Sequence, residues 1–288
     1  MMHYTSLREL IDEANKREQS IGAIVLEAES EQEYTDIESS RETMRKTWRV
    51  MKESIEKGRE SNECSRSGLS GGDAFKLLKF SSVYLGKEVS DTVAEALGVA
   101  ELNACMGKVV ACPTAGSCGI VPAALNYAQK KFDLDEEQII NALFTAAGIG
   151  IVCSVNASLS GAEGGCQAEC GVAAAMASGA LVELAGGSPD MIGNAVAICF
   201  TNLMGLICDP VAGLVEIPCI FRNAGTLIQG ILSAEMALAG IESRIPVDEV
   251  IEAMGDVGRA LPENLRETAE GGLAATETGR KIAEEFGS

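Results

Sequence analysis

The sequence contains a single histidine, His3, and only 23 basic residues against 42 acidic ones. One histidine near the N-terminus excludes a buried Ser-His-Asp triad, a Cys-His pair and a His-rich zinc site. Acid–base chemistry must therefore use carboxylate, Lys, Tyr or Cys side chains, or a histidine from a partner chain. The net charge of −19 repels phosphate backbones and anionic lipid, so we expect neither nucleic acid nor a membrane as a partner.

Aromatic residues are also scarce, at 4% of a chain that is 47% hydrophobic. A core of Ala, Val, Ile, Leu and Met favours closely packed helices over strands. The alternation of strands and helices typical of βαβ proteins is weak, and Lys108–Ala111 is the one short β-like run. The sequence therefore predicts an all-α, compact multi-helix domain, with buried apolar helices and Gly/Cys-rich connecting turns that form the site.

The start of the chain, MMHYTSLRELIDEANKRE, is polar and charged, so we expect no signal peptide and a cytoplasmic location. In that compartment the ten cysteines are not expected to form disulfides. A cytosolic chain with many unpaired thiols typically uses a few of them for a metal or redox group. The others are buried as small apolar residues.

Charge divides the chain into two parts. Residues 5–60 are highly charged, and their apolar spacing predicts two amphipathic helices, broken near Glu29–Tyr34. A Gly-Ser turn follows, after which Asp73 is expected to cap the next helix. We expect the charged helices of residues 1–62 to pack on a core formed by residues 63–288, so that the whole chain forms one catalytic domain.

Long uncharged segments dominate the second part. No charged residue lies between Glu137 and Glu163, a length that could span a bilayer. The polar residues in this segment, its Ala and Gly content and the absence of flanking Lys and Arg clusters favour a buried helix of a globular bundle. Four further helices, followed by a polar tail, are predicted at Cys170–Ala185, Pro189–Ile207, Pro218–Ile241 and Val247 to about Leu261.

Four turns between the predicted helices concentrate Cys, Gly, Ser, Thr and Asn. They are SGLSGGDA (Ser67–Ala74), CPTAGSCGIVPAAL (Cys112–Leu125), SVNASLSGAEGGCQAEC (Ser154–Cys170) and CDPVAGLVEIPC (Cys208–Cys219). Turns that precede a helix direct backbone N–H groups at one point, which suits a carboxylate ligand. Three thiolates from such turns, Cys166, Cys208 and Cys219, could hold an iron–sulfur cluster. Their long separations and the lack of CxxC pairs favour, on spacing alone, buried thiols instead.

These motifs, together with RETAEGGLA (Arg266–Ala274), resemble the α chain of the iron–sulfur-dependent L-serine dehydratases of the two-subunit type. The resemblance implies that Cys166, Cys208 and Cys219 hold a 4Fe-4S cluster. Its open iron would act as a Lewis acid toward L-serine, which is dehydrated and deaminated to pyruvate and ammonia. The resemblance also implies a separate β chain that completes the active site, from which the catalytic base or a histidine could come.

The polar residues of the same turns are candidate substrate ligands. We expect Thr114, Gly116 and Ser117 to hydrogen-bond the substrate, with Asn156 and Ser158 as a second polar group. The alternative for all five is local turn capping, because Asn, Ser and Thr commonly bond their own backbone.

Other residues near these turns have less specific roles. Cys170 is expected to pack behind Cys166, because the two share one helical face. Glu163 and Glu169 could tune the cluster or transfer protons, and a buried carboxylate paired with Arg222 is the alternative. The remaining cysteines are assigned to the pocket wall (Cys112 and Cys118) or to packing (Cys64, Cys105, Cys153 and Cys199).

Two other enzyme types and one non-enzymatic reading compete with this assignment. L-cysteine desulfidation could use the same kind of cluster. A pyridoxal phosphate enzyme would need a Schiff-base lysine beside a phosphate cup, and only Lys108 lies near such a loop. A helical scaffold with buried thiols would have no activity. Because no cysteine follows Cys219, a C-terminal thiol that occupies the fourth iron, as in single-chain members of the family, is not expected.

Overall fold

The structure is a computed structural model that describes residues 4–286, so that His3 lies outside the described residues. The prediction of an all-α fold is confirmed. In residues 4–286 no strand is present, and the one isolated β-bridge joins Cys208 to Arg266. The α-helices are α1 (Leu7–Arg17), α2 (Ile21–Gln32), α3 (Ile37–Glu60), α4 (Asp73–Lys79), α5 (Lys87–Ala104), α6 (Ile120–Phe132), α7 (Glu136–Asn156), α8 (Gly161–Gly164), α9 (Val172–Leu184), α10 (Pro189–Leu203), α11 (Cys219–Leu238), α12 (Val247–Ala260) and α13 (Glu277–Phe286).

Helix α9 lies at the centre of the fold, where α6, α7, α10 and α11 pack against it. Every residue from Val172 to Val182 is buried, as expected of a helix that is apolar all round. Small residues allow the close approach of its neighbours. A Cβ added at Gly230 of α11 would lie 2.9 Å from the carbonyl oxygen of Ala174 in α9. The apolar runs that predicted helices at α9 to α12 therefore form the core and its inner wall.

The charged N-terminal segment forms three helices. The prediction of two helices was wrong, because it missed the break between α1 and α2. Glu18 ends α1 in a left-handed conformation, and Ser20 caps α2 by accepting a hydrogen bond from the N–H of Ala23. A non-glycine residue in this conformation carries no sequence signal, which is why the break was missed. Helix α2 packs against α7 and α3 against α5. The backbones of α3 and α5 meet at Gly58 and Gly98.

Helix α7 has the length and the hydropathy of a membrane-spanning helix, with a mean hydropathy of 1.8 over its most apolar stretch. In the structure 67% of that stretch is buried by other parts of the protein. Its partners are α2 and α9, and its first turn is capped by Asp135 and Gln138. The burial agrees with the prediction of a core helix in a globular bundle.

Three local features differ from or add to the predictions. Asp73 does not cap α4. The cap position is Gly72, and the carboxylate of Glu101 accepts hydrogen bonds from the N–H groups of Asp73 and Ala74. The β-like run Lys108–Ala111 is irregular, because it has no neighbouring strand with which to pair. The polar tail contains α13, an amphipathic helix that packs against the short turn Val211–Gly213.

Candidate active site

Three separate segments deliver the cysteines of the candidate site. Cys166 immediately precedes a short π-helical turn, Gln167–Gly171, that leads into α9. Cys208 follows α10 and is fixed by its backbone, since its N–H donates to the carbonyl of Leu265 at 2.9 Å and its carbonyl accepts from the N–H of Glu267 at 2.8 Å. Cys219 is the first residue of α11. The π-helical turn widens the start of α9 at the site, as π-turns in other proteins often do.

The thiols of Cys166, Cys208 and Cys219 lie close enough to influence one another's ionisation. Burial raises the pKa of Cys219 to about 12, and the neighbouring Cys166 adds to the shift. Burial also raises the pKa of Cys208, and the nearby Glu169, Cys166 and Cys219 raise it further, in that order of size. The pKa of Cys166 is lowered, because the thiol of Cys170 donates a hydrogen bond to it and Arg222 lies nearby. Cys166 is therefore the thiol of the three that ionises most readily.

The candidate donors for a metal group are the thiols of Cys166, Cys208 and Cys219. Within residues 4–286, no group of three or more His, Cys, Asp or Glu side chains is placed to hold one metal ion. The three thiols offer sulfur as the donor atom throughout, which is the ligand chemistry of an iron–sulfur core. The residues present therefore fit such a cluster, and their role as its ligands stays a prediction.

The carboxylate of Glu169 lies among these groups. It accepts hydrogen bonds from the hydroxyl of Thr114 and from the thiol of Cys208, the latter with 3.7 Å between Sγ and Oε2. Burial is the main cause that raises the pKa of Glu169. A Cβ added at Gly161 would lie 2.5 Å from Oε2 of Glu169 and 3.0 Å from Sγ of Cys208, so that only glycine fits there. The conformation of the GAE motif thus leaves room for this carboxylate.

Arg222 forms its ion pair with Asp209 and not with Glu169. The distance between Nη2 of Arg222 and Oδ1 of Asp209 is 2.7 Å, and both side chains are largely buried. Asp209 also accepts a hydrogen bond from the N–H of Leu273 at 2.7 Å, and Arg222 donates to the carbonyl of Ile207 at 2.8 Å. The ion pair therefore ties the CDPVAG turn to α11 and to the RETAEGGLA segment. The alternative in which Glu169 is simply the salt-bridge partner of Arg222 is not supported.

Residues Thr114, Gly116 and Ser117 occupy the turn beside Glu169, but only the first two face the site. An added Cβ at Gly116 would be 3.6 Å from Oε1 of Glu169. Ser117 is fully buried, and its hydroxyl contacts the carbonyl of Cys112 at 3.3 Å and the hydroxyl of Thr114 at 3.2 Å. The hydroxyl of Ser117 therefore fits local turn capping.

Asn223 holds this turn in place, a role that the sequence did not reveal. Its side-chain amide donates to the carbonyl of Gly116 at 2.7 Å and to that of Cys219 at 2.9 Å. Its oxygen accepts from the N–H of Gly119 at 2.9 Å. The position of Asn223, four residues after Cys219 on α11, was the available signal, because such residues share a helix face.

Asn156 and Ser158 bond to local partners. The amide of Asn156 donates to the carbonyls of Thr5 and Val152, at 2.6 and 3.0 Å. The hydroxyl of Ser158 donates to Oε2 of Glu163 at 2.6 Å. Ser158 lines a separate cavity of about 290 Å³, together with Glu163, Arg259 and Arg266. No described contact joins either residue to the three thiols, and their role in substrate binding stays a prediction.

The chain matches the family model described as "Serine dehydratase alpha chain" over residues 16–274. It belongs to this family. The chain is 45% identical over 284 residues to the probable L-serine dehydratase alpha chain of Bacillus subtilis (strain 168), covering 97% of this chain and 94% of that one. It is 44% identical over 282 residues to the L-serine dehydratase alpha chain of Peptoniphilus asaccharolyticus, with 97% of both chains covered.

A third relative is longer than this chain. The L-serine dehydratase of Streptomyces coelicolor (strain ATCC BAA-471 / A3(2) / M145) is 37% identical over 272 residues, which make up 92% of this chain and 59% of the relative. The alignment therefore leaves about two fifths of that relative without a counterpart here, as expected when an alpha chain is compared with a larger polypeptide.

In this member of the serine dehydratase alpha chain family, the six cysteines other than Cys166, Cys170, Cys208 and Cys219 are of two kinds. Cys112, Cys118, Cys153 and Cys199 are buried, and burial raises the pKa of each. These thiols pack as small apolar groups. Cys105 is half-buried, and Cys64 is exposed, so the prediction that Cys64 contributes to packing was wrong. It lies in the irregular segment between α3 and α4, where no helix covers it.

Proposed function

We propose that this chain is the α chain of an L-serine dehydratase, which converts L-serine to pyruvate and ammonia. The names of its relatives from Bacillus subtilis and Peptoniphilus asaccharolyticus support the substrate and the reaction. The observation that carries the proposal is that Cys166, Cys208 and Cys219, which come from three separate segments, influence one another's ionisation. Family-specific motifs deliver each of these cysteines, and a purely structural helical domain has no need of thiols that influence one another in this way.

We propose that the three thiols hold a 4Fe-4S cluster. Such a cluster, when bound, supplies an iron that acts as a Lewis acid toward the hydroxyl of serine. Other residues of the chain favour the metal-binding form of one of these thiols. The hydrogen bond from Cys170 and the charge of Arg222 favour the thiolate of Cys166, which is the form that binds metal. Arg222 is in turn held by Asp209, so that the positive charge stays beside Cys166.

Substrate contacts are proposed for the Thr114 turn. The hydroxyl of Thr114 and the backbone of Gly116 lie beside Glu169 and can hydrogen-bond the polar groups of serine. Glu169 is the carboxylate that contacts both a proposed ligand, Cys208, and this turn. It is positioned to accept a proton at Oε1, whereas the exposed Glu163 is bonded to Ser158. Among the two acidic residues that flank Cys166, Glu169 is therefore the better candidate for proton transfer.

We propose a β chain as the partner and the cytoplasm as the location. Relatives named as alpha chains support a two-subunit enzyme. Residues 4–286 contain no histidine, so a histidine in the complete active site would come from the β chain. All ten cysteines are free, which agrees with a reducing compartment.

The test is an anaerobic assay of the purified chain together with its β chain. Release of pyruvate from L-serine is measured with a coupled dehydrogenase, without added pyridoxal phosphate, and iron is determined on the same sample. Pyruvate release with about four iron atoms per α chain supports the proposal. Faster turnover of L-cysteine, with sulfide as a product, would favour the desulfidase. A folded, colourless and iron-free protein without activity would leave the helical scaffold as the interpretation.

A further inference from the structure

The side chain of Glu216 lies inside a ring of three serine hydroxyls. Ser65 and Ser70 donate to Oε2, at 2.6 and 2.5 Å, and Ser67 donates to Oε1 at 2.7 Å. Glu216 is only 7% exposed and Ser65 only 5%. A buried carboxylate requires donors, and here three hydroxyls from one short loop supply them.

The serine loop is closed by its own backbone as well. The N–H of Ser65 donates to the carbonyl of Ser70 at 2.9 Å, and the N–H of Gly68 donates to the carbonyl of Ser65 at 2.9 Å. The N–H of Leu69 donates to the hydroxyl of Ser67 at 3.0 Å. The loop therefore presents its three hydroxyls to Glu216 from a fixed backbone, which accounts for the three serines of the motif SRSGLSGG.

Glu216 belongs to the segment that carries two of the proposed cluster ligands. It lies three residues before Cys219, and its carbonyl accepts from the N–H of Ile220 at 2.9 Å, at the start of α11. Its own N–H donates to the carbonyl of Leu214 at 2.8 Å. The backbone of Glu216 is thus part of the turn that begins α11, and its side chain attaches that turn to the serine loop.

We propose that Glu216 is a positioning residue that fixes the place of Cys219 through the hydroxyls of Ser65, Ser67 and Ser70. Without the carboxylate, three buried or half-buried hydroxyls lose their acceptor, and the turn loses its attachment to the loop. Side chains that hold metal ligands in this indirect way commonly determine how long a metal stays bound. The part of the proposal that concerns iron rests on the proposed function above.

The first test measures the release of iron to a chelator after anaerobic reconstitution of the complex. Glu216→Ala should release iron about tenfold faster than the wild type, whereas Glu216→Gln, which keeps one acceptor oxygen and the size of the side chain, should restore most of the retention. Glu183→Ala is the matched control. It removes another largely buried carboxylate, held by Thr145 and Asn141 on α7, and should leave iron release unchanged although it destabilises the fold.

The second test needs no cluster. In the metal-free α chain, alkylation of Cys219 by iodoacetamide is followed by peptide mass spectrometry, with the exposed Cys64 as the internal reference. Circular dichroism first establishes that each variant is folded. Glu216→Ala should raise the alkylation rate of Cys219 about tenfold relative to Cys64, and Glu183→Ala should not. Equal rates in the wild type and Glu216→Ala would overturn the positioning role. If the wild type binds no iron but its Cys219 is still alkylated more slowly than that of Glu216→Ala, the proposed cluster is refuted and the positioning role of Glu216 stands.

Discussion

The thiol of Cys208 donates a hydrogen bond to the carboxylate of Glu169, with 3.7 Å between Sγ and Oε2. The same carboxylate accepts from the hydroxyl of Thr114, so that Glu169 joins a proposed cluster ligand to a proposed substrate-binding turn. Gly161 leaves the space that this contact needs, since any larger residue would overlap with both groups. The chemistry of the site therefore depends on an acidic side chain as well as on the three thiols.

Replacement of Glu169 by Gln should lower the turnover of L-serine by about a hundredfold or more, because it removes a proton acceptor and keeps the shape of the side chain. Iron content should remain near that of the wild type. The matched control is Glu163→Gln, since Glu163 also flanks Cys166 but is exposed and bonded to Ser158. The coupled pyruvate assay measures both variants, and comparable activity in the two would refute a catalytic role for Glu169.

Single replacements of Cys166, Cys208 or Cys219 by Ser should abolish the retention of iron, because a hydroxyl is a poor ligand for iron–sulfur cores. Cys64→Ser is the control, since Cys64 is exposed and lies in a different segment. Iron is determined after anaerobic reconstitution and gel filtration, together with the visible absorption spectrum. Iron content that is the same in all four variants would show that the cluster, if present, has other ligands.

A pair of substitutions distinguishes the Thr114 turn, for which substrate contacts are proposed, from Ser158, the other candidate named from the sequence. Thr114→Val keeps the volume of the side chain but removes the hydroxyl beside Glu169, and it should raise the KM for L-serine by roughly threefold to tenfold. Ser158→Ala should leave KM unchanged, because the hydroxyl of Ser158 is bonded to Glu163. An increase in KM for Ser158→Ala alone would reverse this assignment and point to the cavity near Arg266.

Local sequence patterns predicted the helices well where apolar residues decide the outcome. The apolar runs that form α9 to α12 are bounded by Gly, Pro or Asp. Burial of their apolar residues is sufficient to determine that they are helices. The patterns failed at Glu18, which ends a helix without a glycine, and at α13, whose stability depends on its packing against the Val211–Gly213 turn. These two features depend on backbone strain and on tertiary contacts, which a periodicity does not contain.

The sequence named the three thiols of the candidate site, whose role as ligands stays a prediction, but it did not reveal the network of contacts around them. Cys166, Cys208 and Cys219 could be named because they lie in motifs of a recognisable family. The contacts of Asp209 with Arg222 and Leu273, and those of Asn223 with the Thr114 turn, join residues far apart in the sequence. Such pairings arise from the fold, and the spacing of Asn223 four residues after Cys219 was the one signal of them along the chain.

The pair formed by Asp209 and Arg222 should contribute strongly to stability. Asp209→Ala leaves the largely buried Arg222 without its counter-charge, and it should lower the free energy of unfolding by about 3 kcal/mol. Asp256→Ala is the matched control, because the pair of Asp256 with Arg259 is exposed on α12 and should contribute less than about 1 kcal/mol. Urea denaturation of both variants measures the difference. Similar small effects would show that Arg222 finds another partner.

The stability of the protein should depend on pH through Glu183, a residue of α9 whose carboxylate contacts α2 and α7. Burial raises the pKa of Glu183 above its ordinary value of 4.5, despite hydrogen bonds from Thr145, Gly22 and Asn141. The folded state therefore holds the proton more tightly than the unfolded chain, and stability is lost as pH rises from 4.5 through the raised pKa. Glu183→Gln keeps the size of the side chain and one acceptor oxygen, but it does not titrate. In urea titrations run from pH 4.5 upward, the free energy of unfolding of the wild type should accordingly fall relative to that of Glu183→Gln. Parallel curves for the two proteins across this range would mean that Glu183 titrates alike in the folded and unfolded states.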